Sequence, residues 1–117
     1  MAATLPWRWS PSSLPRQPLQ KPGRGNGIEV VIHFAGLKAV AKPLTYYDNN
    51  VRGTPSLIEA MIACNVKTLV FSSSATVCGA PQYLPLDENH PTSATNSYGR
   101  TKLMIEEMLT DFAAANQ

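Results

Sequence analysis

Two runs of apolar residues, IEVVIHFAG (28–36) and VKTLVFSSSA (66–75), stand out against the rest of the chain, and each closes in small or hydroxyl residues. Runs of that length, rich in Val, Ile and Phe, fit strands buried on both faces, as in a parallel sheet. Between them PLTYYDNNVRGTPSLIEAMIAC (43–64) carries Leu57, Ile58, Met61 and Ile62 at helical spacing. A strand, a crossover helix and a strand make one βαβ unit. Pro55 interrupts the helical stretch, because it removes a hydrogen bond and kinks the element unless a new helical turn begins there.

After the second run, CGAPQYLPLDENHPTSATN (78–96) has three prolines and no sustained period. It is long for a structureless connection, which favours a functional loop. Thr95, Asn96 or Ser97 can then cap a helix predicted over 98–114, with Leu103, Ile105, Met108, Leu109 and Phe112 recurring every three or four residues. The order β, α, β, loop, α is half of a doubly wound α/β sheet, in which ligands sit at the carboxyl ends of the strands. Those ends here are FAG and SSSAT.

The first 26 residues, MAATLPWRWSPSSLPRQPLQKPGRGN, hold five of the ten prolines and show neither a helical nor a strand period. A disordered tail over 1–27 is the expectation from composition. Arg and Ser without acids also fit a targeting peptide, and sequence foreign to the domain is a third reading. GRGNG (23–27) lacks the spacing G-x-G-x-x-G and a preceding strand, so it is not read as a dinucleotide loop.

With 117 residues the chain suits one small domain. Its net charge of +2 comes from Arg8, Arg16, Lys21 and Arg24, all ahead of the first acid, Glu29. No basic stripe with interleaved aromatics follows, so nucleic acid is not an expected partner. Cys64 and Cys78 make no metal-like spacing with each other or with His33 and His90, so no metal is expected. No run of ~18 apolar residues could span a bilayer, so no membrane partner is expected, and a reduced cytoplasmic setting is the default.

The chemistry gathers on NSYGRTKLMIEE (96–107), where Tyr98 and Lys102 stand four residues apart at the start of the last helix. A phenol titrates near ~10, so as a base at neutral pH it needs its anion stabilised. An ammonium one turn further along the same helix face does that. A hydroxyl from Ser74 or Thr76 could bond the same substrate oxygen. Such a set could draw a proton from a secondary alcohol while hydride leaves the carbon, and hydride needs a cofactor to receive it. Each piece alone has a plainer reading. Tyr and Lys are common on helix surfaces, SSS is an ordinary strand exit, and Gly36 could mark a tight turn. His33, Tyr46 and Tyr47 read as packing residues. The joint order of the motifs favours chemistry.

VIHFAGLKAV, KPLTYYDNNVRGT, VFSSSATVCGAPQYLPLDENHPTS and SYGRTKLMIEEML resemble consecutive segments of the UDP-glucose 4-epimerases, in the extended short-chain dehydrogenase/reductase superfamily. The resemblance covers 28–115 and implies a partial Rossmann-like doubly wound parallel sheet over 28–117, the second half of an NAD-binding domain, with a leader over 1–27 unrelated to the family. It implies Tyr98 and Lys102 as catalytic residues, Lys102 also holding the nicotinamide ribose, with Ser74 bonding the sugar's 4-oxygen beside Tyr98. NAD is the implied cofactor, with Phe34, Ala35, Gly36, Lys38, Asn49 and Ser72 joining Tyr98 and Lys102 at its site. The implied reaction interconverts UDP-galactose and UDP-glucose through a 4-keto sugar, as part of galactose metabolism, and a homodimer is the implied assembly.

Several family features do not appear in these residues. The G-x-x-G-x-x-G loop is absent, as are about four residues, commonly including GES, between LKAV and AKPL. Pro55 stands in place of an ordinary helix residue, Cys78 in place of Tyr, and Ser97 in place of Pro. The family continues into a domain that binds the uridine nucleotide, and this chain stops at Gln117. The expectation is therefore a form truncated at both ends, inactive by itself. The alternatives are a non-catalytic partner of an intact epimerase subunit, or a piece of another nucleotide-sugar epimerase or dehydratase.

Overall fold

The computed structural model describes residues 27–39 and 41–115, so the tail expected over 1–27 lies outside the described residues except for Gly27. In chain order these residues form β1 (Val30–His33), α1 (Pro43–Tyr46), a π-helical turn (Tyr47–Val51), α2 (Gly53–Ala63), β2 (Thr68–Phe71), a 3-10 turn (Ala75–Cys78) and α3 (Ser97–Ala115). The strands pair in parallel, Val30 opposite Thr68 and His33 opposite Phe71. One more bond, Ser72 N–H to the His33 carbonyl at 3.1 Å, extends the ladder past the strand ends. The α/β order read from the hydrophobic pattern is thus the order found.

The burial of the strands differs from the expectation of two covered faces. Val31, His33, Leu69 and Phe71 are half-buried, whereas Val30, Ile32, Thr68 and Val70 are exposed, Ile32 at 55%. Side chains alternate across a sheet, and the described helices cover one face of it. The core lies on that face, with Ile58 and Met61 of α2, Val77 and Cys78 of the 3-10 turn, and Ile105 of α3.

The single crossover helix expected over 43–64 is instead broken by a π-turn. Pro43 opens α1, where a missing N–H costs nothing. The Arg52 N–H then reaches back five residues to the Tyr47 carbonyl at 3.2 Å, and α2 restarts at Gly53. Pro55 accordingly sits in a first turn, as its chemistry requires. It has no N–H to offer, and next to it the Thr54 hydroxyl donates to the Asn50 carbonyl at 3.1 Å. At the other end of α2, Asn65 takes a left-handed φ of 55° and Val66 N–H closes on the Met61 carbonyl at 2.9 Å. Asn65 does there what a terminating glycine usually does.

Of the three candidate caps for α3, Asn96 is the one used: its Oδ1 accepts from Gly99 N–H at 2.7 Å. The long loop before it is built around His90, which is 5% exposed. Gln82 N–H donates to its Nε2 at 3.0 Å, the Pro91 carbonyl lies 2.8 Å from its Nδ1, and its ring packs 4.7 Å from that of Tyr83. Asp87 receives the Tyr83 hydroxyl at 2.8 Å, and Ser93 N–H returns to the Val77 carbonyl at 2.9 Å.

Gly99 sets how closely α3 approaches the end of the sheet. A Cβ on it would stand 2.6 Å from the Thr76 carbonyl oxygen, a backbone atom that cannot swing aside. Gly99→Ala should therefore cost about 1–3 kcal/mol of stability despite its better helix propensity. Gly53→Ala is the control: nothing lies within 4 Å of its added carbon, so it should be neutral or gain about 0.4–1 kcal/mol. Urea unfolding of the two variants beside the parent checks both.

Candidate active site

The carboxyl ends of β1 and β2 lie side by side, and the first two turns of α3 pack across them. Lys102, five residues into α3, is 3% exposed. Its Nζ donates to the Ser72 carbonyl at 2.9 Å and sits 4.7 Å from the centroid of the Phe71 ring. Among the described residues the ion pair found is Arg52 with Asp48, on the surface, and no carboxylate meets Lys102. Burial first, and the charge of Lys38 second, hold the Lys102 amine below its ordinary value. A carbonyl dipole and an aromatic face thus stand in for an acid partner.

Tyr98 lies one turn earlier, half-buried, with Lys102 Nζ 5.9 Å from its ring centroid. Helical spacing delivers this pairing, and Thr101 fixes the turn between them by donating its hydroxyl to the Tyr98 carbonyl at 2.7 Å. Ser74 caps the 3-10 turn. Its Oγ accepts from Thr76 N–H at 3.3 Å and from the Thr76 hydroxyl at 2.9 Å. The turn thus separates the two hydroxyls that the residues leave open: Ser74 is the cap that receives the Thr76 N–H, and Thr76 lies within the turn.

On the β1 side, Phe34, Ala35 and Gly36 leave the strand end as an exposed segment. Gly36 does not use a left-handed conformation. Its importance is proximity, since a Cβ there would lie 3.5 Å from Lys102 Nζ and 3.6 Å from Asn50 Oδ1. Lys38 is exposed and lines, with Ala39, Pro43, Tyr46, Asn96, Ser97 and Tyr98, an open cavity of about 470 Å³. Ala39 takes φ 61° in the short connection to α1, a conformation a Cβ disfavours.

Asn49 and Asn50 divide their tasks in a way that their adjacency in sequence conceals. Asn49 is turned to its own helix, its Nδ2 donating to the Thr45 carbonyl at 2.9 Å. Asn50 is 3% exposed and joins three segments. Its Oδ1 accepts from Leu37 N–H at 2.7 Å, and its Nδ2 donates to the Leu37 carbonyl at 3.2 Å and to Thr101 Oγ1 at 3.3 Å. Sequence reasoning missed Asn50, since nothing in DNNV distinguishes the two amides until the π-turn aims one inward.

His33 packs, as expected of a strand residue, with its ring 5.5 Å from Phe71. Its Nε2 is nevertheless buried without a hydrogen-bond partner, as is Ser73 Oγ. Burial first and the nearby Lys102 charge second push the imidazole below its ordinary value, so it is held neutral. No cluster of His, Cys, Asp or Glu among the described residues could hold a metal, and Cys64 and Cys78 are both free thiols.

Residues 14–117 match the model of the NAD dependent epimerase/dehydratase family. That match starts ahead of the boundary at 27/28 drawn from composition. UDP-glucose 4-epimerase of Bos taurus is 56% identical over 104 residues, which cover 85% of this chain and 30% of the bovine one. The Bacillus subtilis enzyme of that name is 56% identical over 95 residues, covering 78% of this chain and 28% of its own. Among solved structures, UDP-glucose 4-epimerase from Bifidobacterium longum, in complex with NAD+ and UDP, superposes with a TM-score of 0.73 at 53% identity, over 77% of this chain and 28% of that one. The chain thus spans about 30% of the length of these relatives.

Independently of these likenesses, the neutral state of His33 fixes a pH dependence. Its folded value lies below the ordinary 6.5, so the unfolded chain takes up this proton first as pH falls. The stability tied to the neutral ring is full above 6.5 and is lost as pH drops from there through the lowered folded value. Melting temperature should therefore fall between pH 7.5 and pH 5, and His33→Phe should flatten that fall. Parallel slopes for parent and variant would contradict it.

Proposed function

Because the chain belongs to the NAD dependent epimerase/dehydratase family, we propose that it carries the acid–base and nicotinamide-facing part of a UDP-glucose 4-epimerase. The observation that supports this best is the placement of Tyr98 and Lys102 across the carboxyl ends of two parallel strands, with Ser74 at the exit of the second. Ligands of doubly wound sheets sit at that edge. The names of the relatives and the NAD+ and UDP bound in the Bifidobacterium longum structure support the same reading.

The residues fit a nicotinamide cofactor. Lys102 presents an ammonium with no carboxylate to neutralise it, and Gly36 leaves open the space in front of it that a side chain would fill. On this reading Phe34, Ala35, Gly36, Lys38, Asn49 and Ser72 join Tyr98 and Lys102 at the cofactor. Bound there, NAD would supply the acceptor and donor of hydride for sugar C4. Tyr98, as its phenolate, would take the 4-hydroxyl proton and later return it to the 4-oxygen. Lys102 would stabilise that phenolate, the form in which Tyr98 can accept a proton. Ser74 donates to the 4-oxygen and holds it beside Tyr98. UDP-galactose and UDP-glucose are the substrates of this reading, which places the reaction in galactose metabolism and in the cytoplasm. No described helix is long and apolar enough to cross a membrane.

A second reading has its own observation. The open sheet face, with Ile32 at 55% and Val70 at 51% exposed, is apolar surface that a subunit of an intact epimerase could cover. Co-expression with such a subunit, followed by co-purification, tests it, and migration of the two chains apart would remove it.

The test of the first reading grafts residues 28–115 of this chain onto the matching stretch of the 56% identical bovine epimerase. The chimera should interconvert UDP-galactose and UDP-glucose. Tyr98→Phe in it should lower kcat by about 10²–10⁴-fold, and Ser74→Ala should lower it less. A chimera that folds, binds NAD and does not turn over would sink the proposal.

A further inference from the structure

We propose that Tyr46 is a positioning residue for Tyr98, its ring forming the wall that fixes the orientation of the Tyr98 phenol. This rests on the reading of Tyr98 as the acid–base residue. The two rings lie 6.1 Å apart between centroids, tilted at 58°, within the ~4.5–7 Å range in which aromatic pairs attract. Tyr98 also meets the Lys102 ammonium, 5.9 Å from the ring centroid. The Tyr98 ring therefore neighbours both a cation held in place by Ser72 and a ring carried on α1.

The hold on Tyr46 is what makes it a support. Tyr46 ends α1, and four residues on, Asn50 donates to Thr101 at 3.3 Å. Thr101 stands three residues beyond Tyr98. The α1 and π-turn segment is thus joined to α3 by two successive rungs, an aromatic pair and then a buried hydrogen bond. Asn50 is also tied to both backbone groups of Leu37, so the first rung cannot shift sideways without straining the second.

The space beside the pair gives the role its consequence. Tyr46 and Tyr98 both line the 470 Å³ cavity, together with Lys38, Ala39, Pro43, Asn96 and Ser97. The torsion of a tyrosine ring about its Cβ–Cγ bond is broad by itself, so its orientation is set by neighbours. Removing the Tyr46 ring would merge its volume with the cavity and leave that flank of Tyr98 unsupported and wet.

Ring-labelled tyrosine NMR of the full chain tests this without requiring turnover. The chain has four tyrosines, and Tyr98→Phe assigns the Tyr98 signals. Tyr46→Phe, which keeps the ring, should leave Tyr98 ring flipping as in the parent. Tyr46→Leu should speed it by about tenfold, the effect of losing an aromatic pair near the top of its usual range. The Tyr83 signals, set by His90 and Asp87, report whether the variant is folded, and Tyr46→Met replaces Tyr46→Leu if it is not. Unchanged Tyr98 flipping in the folded aliphatic variant overturns the proposal, as does an equal effect from Tyr46→Phe. In the bovine chimera, the aliphatic variant should lower kcat with KM little changed, with Tyr46→Phe near the parent. A ring effect in a chimera that never turns over would count against the epimerase reading alone.

Discussion

The buried ammonium of Lys102 is the constraint around which the described part of this protein is arranged. An unpaired charge taken out of water is costly, and here it is met by one carbonyl, that of Ser72, and by the face of Phe71. Both belong to the carboxyl end of β2, so the residue that must be solvated by protein also fastens the longest helix to the sheet. The helix can come close enough only because position 99 has no side chain, which lets the Thr76 carbonyl lie against it. Gly99, Lys102 and the SSSAT exit therefore form one contact, with Tyr98 carried on it.

A second layer of buried polar groups holds the other wall. Asn50 answers to Leu37 on the β1 exit and to Thr101 on α3, and it is aimed there by the π-turn. Threaded as a regular helix, the same residues would face a different direction, because one extra residue per turn rotates everything that follows. The π-turn, Pro55 in the first turn of α2 and the Thr54 bond to Asn50 are in this sense a single feature. Pi-turns often occur at functional sites, and this one places Tyr46 and Asn50 against consecutive turns of α3.

Such an arrangement favours function at some expense of stability. Lys102 is held below its ordinary protonation range by burial and by Lys38, His33 is kept neutral beside it, and two polar atoms, His33 Nε2 and Ser73 Oγ, are buried without partners. Buried unsatisfied polar atoms are few in folded proteins and call for a reason. These lie on the covered sheet face and at the strand end to which the proposed function assigns the chemistry. The opposite sheet face is apolar and open, so the polar difficulty and the exposed apolar surface fall on different sides of the same two strands.

Much of this was legible in the chain itself. Continuous apolar runs determined two strands, the recurrence from Leu103 to Phe112 determined α3, and Tyr98 and Lys102 share a face by helical spacing alone. The motifs FAGLKA, YYDNN and SSSATV carried the family resemblance without any coordinates. Local pattern could not show which faces of the strands are covered, because coverage depends on elements far away in sequence. It could not choose Asn96 over its neighbours as the cap, reveal the π-turn within an apparently ordinary helix, or separate Asn50 from Asn49. It also left Ser74 and Thr76 equivalent, until the 3-10 turn made Ser74 the cap that receives the Thr76 N–H. Each of those distinctions is a long-range or directional matter, decided only when α3 closes on the strand ends and every buried donor must find its acceptor.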